Sequence, residues 1–448
     1  MQKKVISSTK EINSSNLQSW LQAFKPIQAY LMQLKAIYDG TDDIDKGTQR
    51  CDEGRPDNRV HSNLSSMIVK NSTNYFIGKP VKYKFKNSSI EEALKQNLFD
   101  SREEQENKTL GKCLSKYGKA YELLAIDEEK DPYFVMLEPL QTFEVVTDDV
   151  RHTTICVVTY LEYTDTTTNK QVVKGWIYDK NFIYSFEGDS KEQQFNLARE
   201  INPFKPLLPV VIAKNNDEEK GDYEDVMELL NSYNRLLSNS FDDIEGILNA
   251  VFVLYNATIS KEDSDKLNKT RVLSLLGENT KAEFLSKKLD TQTIELLRNW
   301  IREDIFTITN VPDFTDEKFA GNQSGVAMSY KLIGFENLRQ EKAGYFRSAL
   351  IDRIEILLNY KNLSDKPKWL DEDDVEIEFY PNLPANLSKD ETIAKLFTMG
   401  AISRETAFDK MDIVEDTKEE IERFDREQPS IEDLDAEVRI EETARTKQ

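Results

Sequence analysis

The feature that most constrains this chain is an uninterrupted helical pattern between Asp222 and Leu248. Apolar residues recur there at steps of three and four, the spacing that places side chains on one face of an α-helix. The positions are Val226, Leu229, Leu230, Tyr233, Leu236, Leu237, Phe241, Ile244, Ile247 and Leu248. This pattern predicts a helix about 40 Å long at 1.5 Å per residue, packed against neighbours over its whole length.

A compact insert separates this helix from a second one. Residues 249–289 break the helical period, and Val251–Tyr255 and Arg271–Leu276 have the composition of strands. A short helix is predicted between the two strands. Asp290 is a suitable N-cap for the second long helix, which ends before Pro312.

A third long helix is predicted from Ser324 to about Asn359. Its inward positions are Val326, Tyr330, Ile333, Leu338, Phe346, Leu350, Ile354 and Leu357. Residues 375–380 alternate like a strand, and residues 390–448 are helical and strongly charged, with few apolar anchors.

The first half of the chain mixes both kinds of element. Residues 15–38 read as a helix broken at Pro26, and residues 59–75 and 100–117 are predicted helices. Between residues 120 and 186, short runs rich in Val, Tyr, Ile and Thr predict a meander of antiparallel strands. The whole chain is therefore predicted to be α+β and mainly helical.

Composition excludes several classes of protein. The chain has 81 acidic and 59 basic residues, a formal net charge of −22, so simple adhesion to nucleic acid is disfavoured. Three dispersed cysteines, Cys51, Cys113 and Cys156, fit neither a disulfide scaffold nor a zinc ribbon. We find no phosphate-binding loop, dinucleotide-binding motif or catalytic motif, and therefore predict no enzymatic activity and no cofactor.

Several segments, in order along the chain, resemble the portal proteins of tailed bacteriophages, in the form found in siphophages of Gram-positive hosts. They are Tyr38-Asp39-Gly40, Pro56-Asp57-Asn58-Arg59-Val60 with Asn63, Asn74 to Val81, Gly118 to Glu122, Pro209 to Val211, Gly221 to Val226, Asn231 to Asn234 with Ser238, Ser324 to Met328, Pro381 to Pro384, and Ile402 to Thr406. Each motif is weak alone, and the ordered set is specific.

The resemblance implies a phage portal fold with wing, stem, clip and crown, long stem helices and a small α/β clip. The implied parts are an N-terminal α/β wing at 1–221, a stem helix at 222–248, the clip at 249–289, a second stem helix at 290–311, a tunnel loop at 312–323, the long helix and return strand of the wing at 324–388, and an acidic helical crown at 389–448.

It also implies a function. Family members form a ring of about twelve subunits at one capsid vertex, through which double-stranded DNA is packaged and ejected without sequence specificity. The implied partners are the large subunit of terminase, a head-completion adaptor protein, and the major capsid and scaffolding proteins. The implied location is the portal vertex of the virion, reached from the host cytoplasm during assembly.

Two sets of residues become candidate sites under this resemblance. In the tunnel loop, Lys318, Asn322 and Gln323 would contact DNA phosphates, and Gly321 would let the loop flex. In the clip, the residues that would contact terminase and the adaptor are Glu262, Asp265, Lys266, Lys269 and Arg271. For both sets the alternative is purely structural: exposed charges in the clip, and packing between neighbours in the loop.

Two other functions remain open at this stage. A metal-dependent nuclease would need carboxylates from separate elements to converge. The acidic run Asp371–Asp374 reads better as a solvated loop than as a metal site. A generic helical scaffold or adaptor that binds only protein is the second alternative.

Overall fold

Helices and strands are both present in the part of the chain that the structure describes, which confirms the α+β prediction. The computed structural model describes residues 3–41, 57–86, 91, 94, 102–166, 169–189, 194–248, 251–256, 279–285, 290–315, 328, 330–360, 375–382, 387–411 and 417–427. The chain divides into two compact units, residues 1–321 with 331–382, and residues 322–330 with 383–448.

The elements follow one another in a mixed order. The strands are β1 (Val5–Ser7), β2 (Lys82–Phe85), β3 (Lys119–Ile126), β4 (Pro132–Leu137), β5 (Thr142–Thr147), β6 (Thr154–Thr164), β7 (Gln171–Tyr178), β8 (Phe182–Asp189), β9 (Phe195–Ile201), β10 (Val210–Lys214), β11 (Val251–Tyr255), β12 (Lys281–Leu285) and β13 (Val375–Glu378). The helices are α1 (Ser14–Asp39), α2 (Leu64–Ile77), α3 (Glu103–Tyr117), α4 (Met227–Leu248), α5 (Thr291–Thr309), α6 (Ile333–Tyr360), α7 (Leu387–Thr398), α8 (Arg404–Met411) and α9 (Thr417–Glu427).

The predicted strands of residues 120–186 are present, but they belong to two sheets rather than one meander. A six-stranded sheet has the order β1-β5-β6-β7-β8-β9, and a three-stranded sheet has the order β10-β3-β4. Strand β1 pairs in parallel with β5, placing Val5 opposite Val145. A core cluster of Tyr121, Val157 and Tyr178 with Val210 joins the two sheets, because each sheet buries one face against the other.

Helix α1 is continuous, so the predicted break at Pro26 is wrong. Pro26 is exposed, and the buried stripe continues past it, with Phe24 before it and Ile27 after it. Phe24 stacks on Phe143 of the six-stranded sheet with ring centroids 4.5 Å apart. Packing of this stripe on the sheet outweighs the backbone hydrogen bond that a proline cannot make.

Helix α2 begins at Leu64, five residues later than Arg59, where the prediction began it. Residues 57–62 instead run without helical structure beside α4. Their backbone amides at Asn58, Val60 and Ser62 donate to side chains of α4, and this replaces helical hydrogen bonding within the segment.

Helix α6 corrects part of the prediction for the third long helix. Phe346, Leu350, Ile354 and Leu357 are buried as predicted. A turn at Leu332 precedes α6, and two residues predicted to face inward are instead exposed, Tyr330 by 72% and Ile333 by 59%. The buried stripe of α6 also contains Lys342 and Arg353, which interrupts the apolar pattern used for the prediction.

The two long helices around the insert are confirmed with small shifts. A 3₁₀ turn at Glu224–Val226 precedes α4, so the helix begins at Met227 rather than Asp222. Asp290 caps α5 by accepting from the Thr293 amide at 3.2 Å. Within the insert, β11 is confirmed and pairs antiparallel with β12. The predicted strand at 271–276 and the short helix before it lie outside the described residues.

In the second unit, three short helices follow one another. The described part of the predicted helical C-terminal region comprises α7, α8 and α9. Arg404 at the start of α8 lies 4.0 Å from the ring of Phe424 and 2.7 Å from the Asp425 carboxylate. This one guanidinium therefore ties α8 to α9.

Candidate interface and its anchorage

The segment that leads into α4 is held by three buried lysines. Residues 215–224, which we call the joint, connect β10 to α4. Lys3 from the N-terminus, Lys119 from β3 and Lys342 from α6 each reach this segment with side chains only 3% exposed. A buried ammonium is costly unless it is paired, so each lysine must be matched by acceptors in or near the joint.

Lys342 makes the most complete set of contacts. Its Nζ lies 2.6 and 2.9 Å from the two carboxylate oxygens of Asp222 and donates to the hydroxyls of Ser72 and Ser115 at 2.9 and 2.7 Å. Burial alone would raise the pKa of Asp222, but the Lys342 ammonium and its hydrogen bonds outweigh burial and hold that pKa below 3.8. This pair therefore joins α2, α3 and α6 at the start of α4.

Lys3 fixes the other side of the joint. Its Nζ donates to Glu224 at 2.6 Å and to the carbonyl oxygens of Tyr117 and Glu219 at 2.8 and 2.7 Å. Burial lowers the pKa of Lys3 although Glu224 opposes that shift. Lys119 approaches the Glu219 carboxylate at 3.3 Å. Lys3 near the N-terminus and Lys119 of β3 therefore both contact the joint.

A fourth buried cation, Arg353, holds the far half of α6. Arg353 is 1% exposed and binds both oxygens of Glu122 at 2.7 and 2.8 Å, and its guanidinium also donates to Asn107 at 2.8 Å. The guanidinium carbon lies 4.6 Å from the ring centre of Phe134. Burial alone would lower the pKa of Arg353, but the Glu122 carboxylate outweighs it and raises that pKa. Helix α6 is therefore fixed to β3 as well as to the joint.

Beyond the joint, α4 and α5 carry an exposed apolar surface. Its large side chains are more than a third exposed, and we call them the apolar face. They are Phe241 and Ile244 of α4 with Leu296, Leu297, Trp300 and Ile308 of α5, at 51%, 45%, 48%, 39%, 55% and 51% exposure. The expectation that α4 is packed over its whole length is therefore wrong for the single chain.

The end of α5 nearer the joint is buried on one side, although Ile308 in its last turn is exposed. Ile305 and Phe306 are buried, and Arg298 donates to the Tyr233 hydroxyl of α4 at 3.2 Å. Arg302 pairs with Asp313 at 2.6 Å, just after the helix ends. The two helices are thus anchored near the joint while their outer parts expose apolar side chains.

Such a surface indicates a protein partner. Removing apolar area from water contributes about 25 cal/mol per Å². Covering the six large exposed side chains of these two adjacent helices would therefore favour binding of a partner. Buried aromatic anchors such as tryptophan dominate the free energy of many interfaces. Trp300 is the most exposed member of the apolar face.

The residues singled out in the sequence fall elsewhere. The tunnel-loop candidates Lys318, Gly321, Asn322 and Gln323, and the clip candidates from Glu262 to Arg271, lie outside the described residues, so their roles stay predictions. The acidic run at 371–374 also lies outside them. Among the described residues, no cluster of three or more His, Cys, Asp or Glu side chains is arranged to hold a metal ion. No helix in the described ranges is long and apolar enough to span a membrane.

Sequence reasoning did not identify the buried cations. Lys342 and Arg353 fall on the apolar stripe of α6, eleven residues apart, which is three helical turns. A cation on the buried side of an amphipathic helix requires an acceptor in the core, and this was the available signal. The acceptor Asp222 belongs to the motif Gly221 to Val226, although its partner could not be inferred from spacing.

Comparison with known proteins gives consistent matches over most of the chain. The family described as phage portal protein, SPP1 Gp6-like, matches residues 25–433. The portal protein of Bacillus phage SPP1 is 22% identical over 403 residues, covering 85% of this chain and 78% of that protein. The portal protein of Clostridium phage phiCD119 is 23% identical over 402 residues, covering 81% and 85%.

Solved structures with a related arrangement are more distant. A chain from the neck of a native gene transfer agent particle, computed with C12 symmetry, has a TM-score of 0.48 and 11% identity, covering 86% of this chain and 93% of that one. The HK97 family phage portal protein from Corynebacterium diphtheriae has a TM-score of 0.35 and 11% identity, covering 73% and 99%.

Proposed function

Because the chain belongs to the phage portal protein family, we propose that it is the subunit of a portal ring at one vertex of a phage capsid. Proteins of this family are structural components of the virion. The proposed ring has about twelve subunits and surrounds a channel for packaging and ejection of double-stranded DNA. The subunit itself would be non-enzymatic and bind no cofactor.

The apolar face of α4 and α5 is the observation that carries the proposal. In a ring, each subunit contacts its two neighbours through different surfaces, so apolar side chains on one subunit can be covered by a different surface of the next. Phe241 and Trp300, half-exposed in one chain, would be buried in such an assembly. The joint would then hold both helices at the angle at which neighbouring subunits meet.

We assign the parts of the ring by resemblance to the family. The wing comprises residues 1–221 and 324–388, the stem 222–248 and 290–311, the clip 249–289, the tunnel loop 312–323, and the crown 389–448. The paired strands β11 and β12 support a folded tip between the two stem helices. The terminase large subunit, and later the head-completion adaptor, would dock on this clip. Major capsid and scaffolding proteins would contact the ring during assembly in the host cytoplasm.

The negative charge of the chain suits passage of DNA. Each copy carries a formal net charge of −22, and a ring multiplies that charge around one axis. A negative channel wall repels phosphates, so DNA can move without binding tightly. Local cations such as Lys318 would provide brief phosphate contacts in the tunnel loop.

The experiment that tests the proposal compares two substitutions one residue apart. Trp300→Glu places a charge in the apolar face, whereas Asn299→Glu adds the same charge at an exposed polar position of the same helix. Mass photometry gives the mass of each assembly, and negative-stain electron microscopy shows whether it is a ring. We expect rings of about a dozen subunits from the wild type and from Asn299→Glu. We expect monomers from Trp300→Glu, because losing a central tryptophan typically costs about 2 kcal/mol or more at each interface.

Two results would contradict the proposal. One is a wild-type protein that stays monomeric at high concentration both alone and with scaffolding protein. The other is metal-dependent DNA cleavage by the pure protein, which would favour the nuclease alternative. A stable assembly without an open channel would favour the generic scaffold alternative.

A further inference from the structure

Residues 57–62, which we call the strap, run along α4 and bind it through backbone amides. Alternate amides of the strap donate to side-chain oxygens that lie one helical turn apart on α4. The pairs are Asn58 with Asp242 at 2.7 Å, Val60 with Ser238 at 2.9 Å, and Ser62 with Asn234 at 3.0 Å. The strap and helix therefore run in opposite directions.

The regularity of these contacts has a geometric cause. Two residues of extended chain advance about 6.6 Å, and four residues of an α-helix advance about 6.0 Å. An extended segment can therefore match acceptors at every fourth helical position over three successive bonds. Because backbone amides are the donors, the match depends on the acceptors of α4 much more than on the side chains of the strap.

Asn58 extends the contact to the outer part of α4. Its side-chain amide donates to Asp242 and Glu245, both at 2.9 Å. These two acceptors lie on the same turns as Phe241 and Ile244, the α4 members of the apolar face. The strap therefore ends beside the surface that the proposed ring would bury.

Among the side chains of α4 that the structure describes, no apolar residue beyond Tyr233 is fully buried. The buried apolar residues at the start of the helix end with Leu230 and Tyr233. Farther out, the buried side chains among the described residues of α4 are polar, Asn234 and Ser238, and both bind the strap. Hydrogen bonds to the strap thus replace a core contact on this side of the helix.

We propose that the strap sets the direction of the outer half of α4 and, through it, the number of subunits in the ring. The inference rests on the proposed function. Neighbouring subunits differ in orientation by about 30° in a ring of twelve and about 28° in a ring of thirteen. Over the ten residues from Ser238 to Leu248, about 15 Å of helix, that difference is a displacement of about 0.6 Å. Without the hydrogen bonds to the strap, the outer half of α4 would be free to move by this distance.

The test compares a double variant that removes two acceptors on α4 with a double variant that changes the same number of residues and keeps both acceptors. Ser238→Ala/Asp242→Ala deletes both acceptor side chains. The control, Ser232→Ala/Asp242→Asn, changes an exposed serine of the same helix and retains an acceptor oxygen at position 242. Hydrogen exchange reports protection of the strap amides, and native mass spectrometry counts the subunits of each ring.

We expect strap amides to exchange at least about tenfold faster in the double-alanine variant, since two of the hydrogen bonds that oppose local opening are lost. We also expect its rings to shift or spread in subunit number, or to fail to close, while the control retains the wild-type number. If the double variant does not fold, Ser238→Ala against Ser232→Ala provides the same comparison.

The outcomes separate this inference from the proposed function. If the wild type forms rings and the double-alanine variant forms rings with the same number of subunits, the inference about the strap is overturned and the proposed function is not. Unchanged exchange of the strap amides would also overturn it. A wild-type protein that forms no ring would refute the proposed function, and with it the role of the strap in subunit number.

Discussion

Replacing Lys342 by methionine should open the joint. Removing one partner of a buried ion pair costs about 3–5 kcal/mol, because the other charge stays buried without compensation. Asp222 would retain a hydrogen bond from the Asn215 side chain at 2.8 Å, so we expect the lower end, about 3 kcal/mol. This loss corresponds to local opening that is more frequent by about 10²-fold.

Native-state hydrogen exchange measures this opening where it occurs. The Asp222 amide donates to the Ser115 carbonyl at 2.9 Å, so its protection reports closure of the joint. Lys70→Met, at an exposed position of α2, is the control for the loss of a lysine. A change of less than threefold in Lys342→Met, or equal changes in both variants, would refute the assignment of the pair as an anchor.

The contribution of the Asp222–Lys342 pair to stability should depend on pH. The pKa of Asp222 lies below 3.8 in the folded protein, so its ionised form contributes stability above pH 3.8, and this contribution disappears as the pH falls through the folded pKa. Without Lys342, burial raises the pKa of Asp222, and acidification should then stabilise the joint. As the pH falls from neutrality toward 3.8, the free energy of opening should rise in Lys342→Met and stay constant in the wild type, where it should fall only at lower pH. The same pH dependence in both proteins would contradict the assignment of the pair.

Further predictions concern four single sites. Gly118→Ala should lower the urea concentration at the unfolding midpoint, because Gly118 has φ +77° and a Cβ there would lie 2.0 Å from the Glu219 carbonyl oxygen. Gly344→Ala should instead stabilise α6 by about 0.5–1 kcal/mol, because a Cβ at position 344 would meet no atom within 4 Å. Arg353→Lys should cost about 2 kcal/mol in the same assay, since lysine cannot bind both oxygens of Glu122. Burial raises the pKa of Cys156, so peptide mapping should find it unmodified by iodoacetamide at pH 8 until urea unfolds the chain.

Elements with a repeating pattern could be predicted from the sequence. The three–four spacing indicated α4 and α5, and β-branched runs indicated most strands, because both patterns follow from local geometry. Pairing between strands was not predictable in the same way. Strand β1 contains three residues and pairs with β5 more than a hundred residues later, so no local signal marks it.

The candidate site was only partly accessible from the sequence. Phe241 was predicted to lie on the apolar side of α4, but spacing alone does not show whether its neighbour belongs to the same chain or to another. Residues 59–62 of the strap were predicted as the first part of a helix at 59–75. The strap amides are bound by side chains of α4 that lie far away in the sequence, so a local pattern could not reveal them.

The residues that pair at the joint are synthesised at widely separated times. Lys3 finds its partners 114, 216 and 221 residues later, and the Asp222 carboxylate must wait a further 120 residues for Lys342. The ribosome therefore releases α4 and its apolar side chains well before the last anchor of the joint exists. Because Lys342 lies on α6, the full set of contacts at the joint can form only after α6 has emerged from the ribosome.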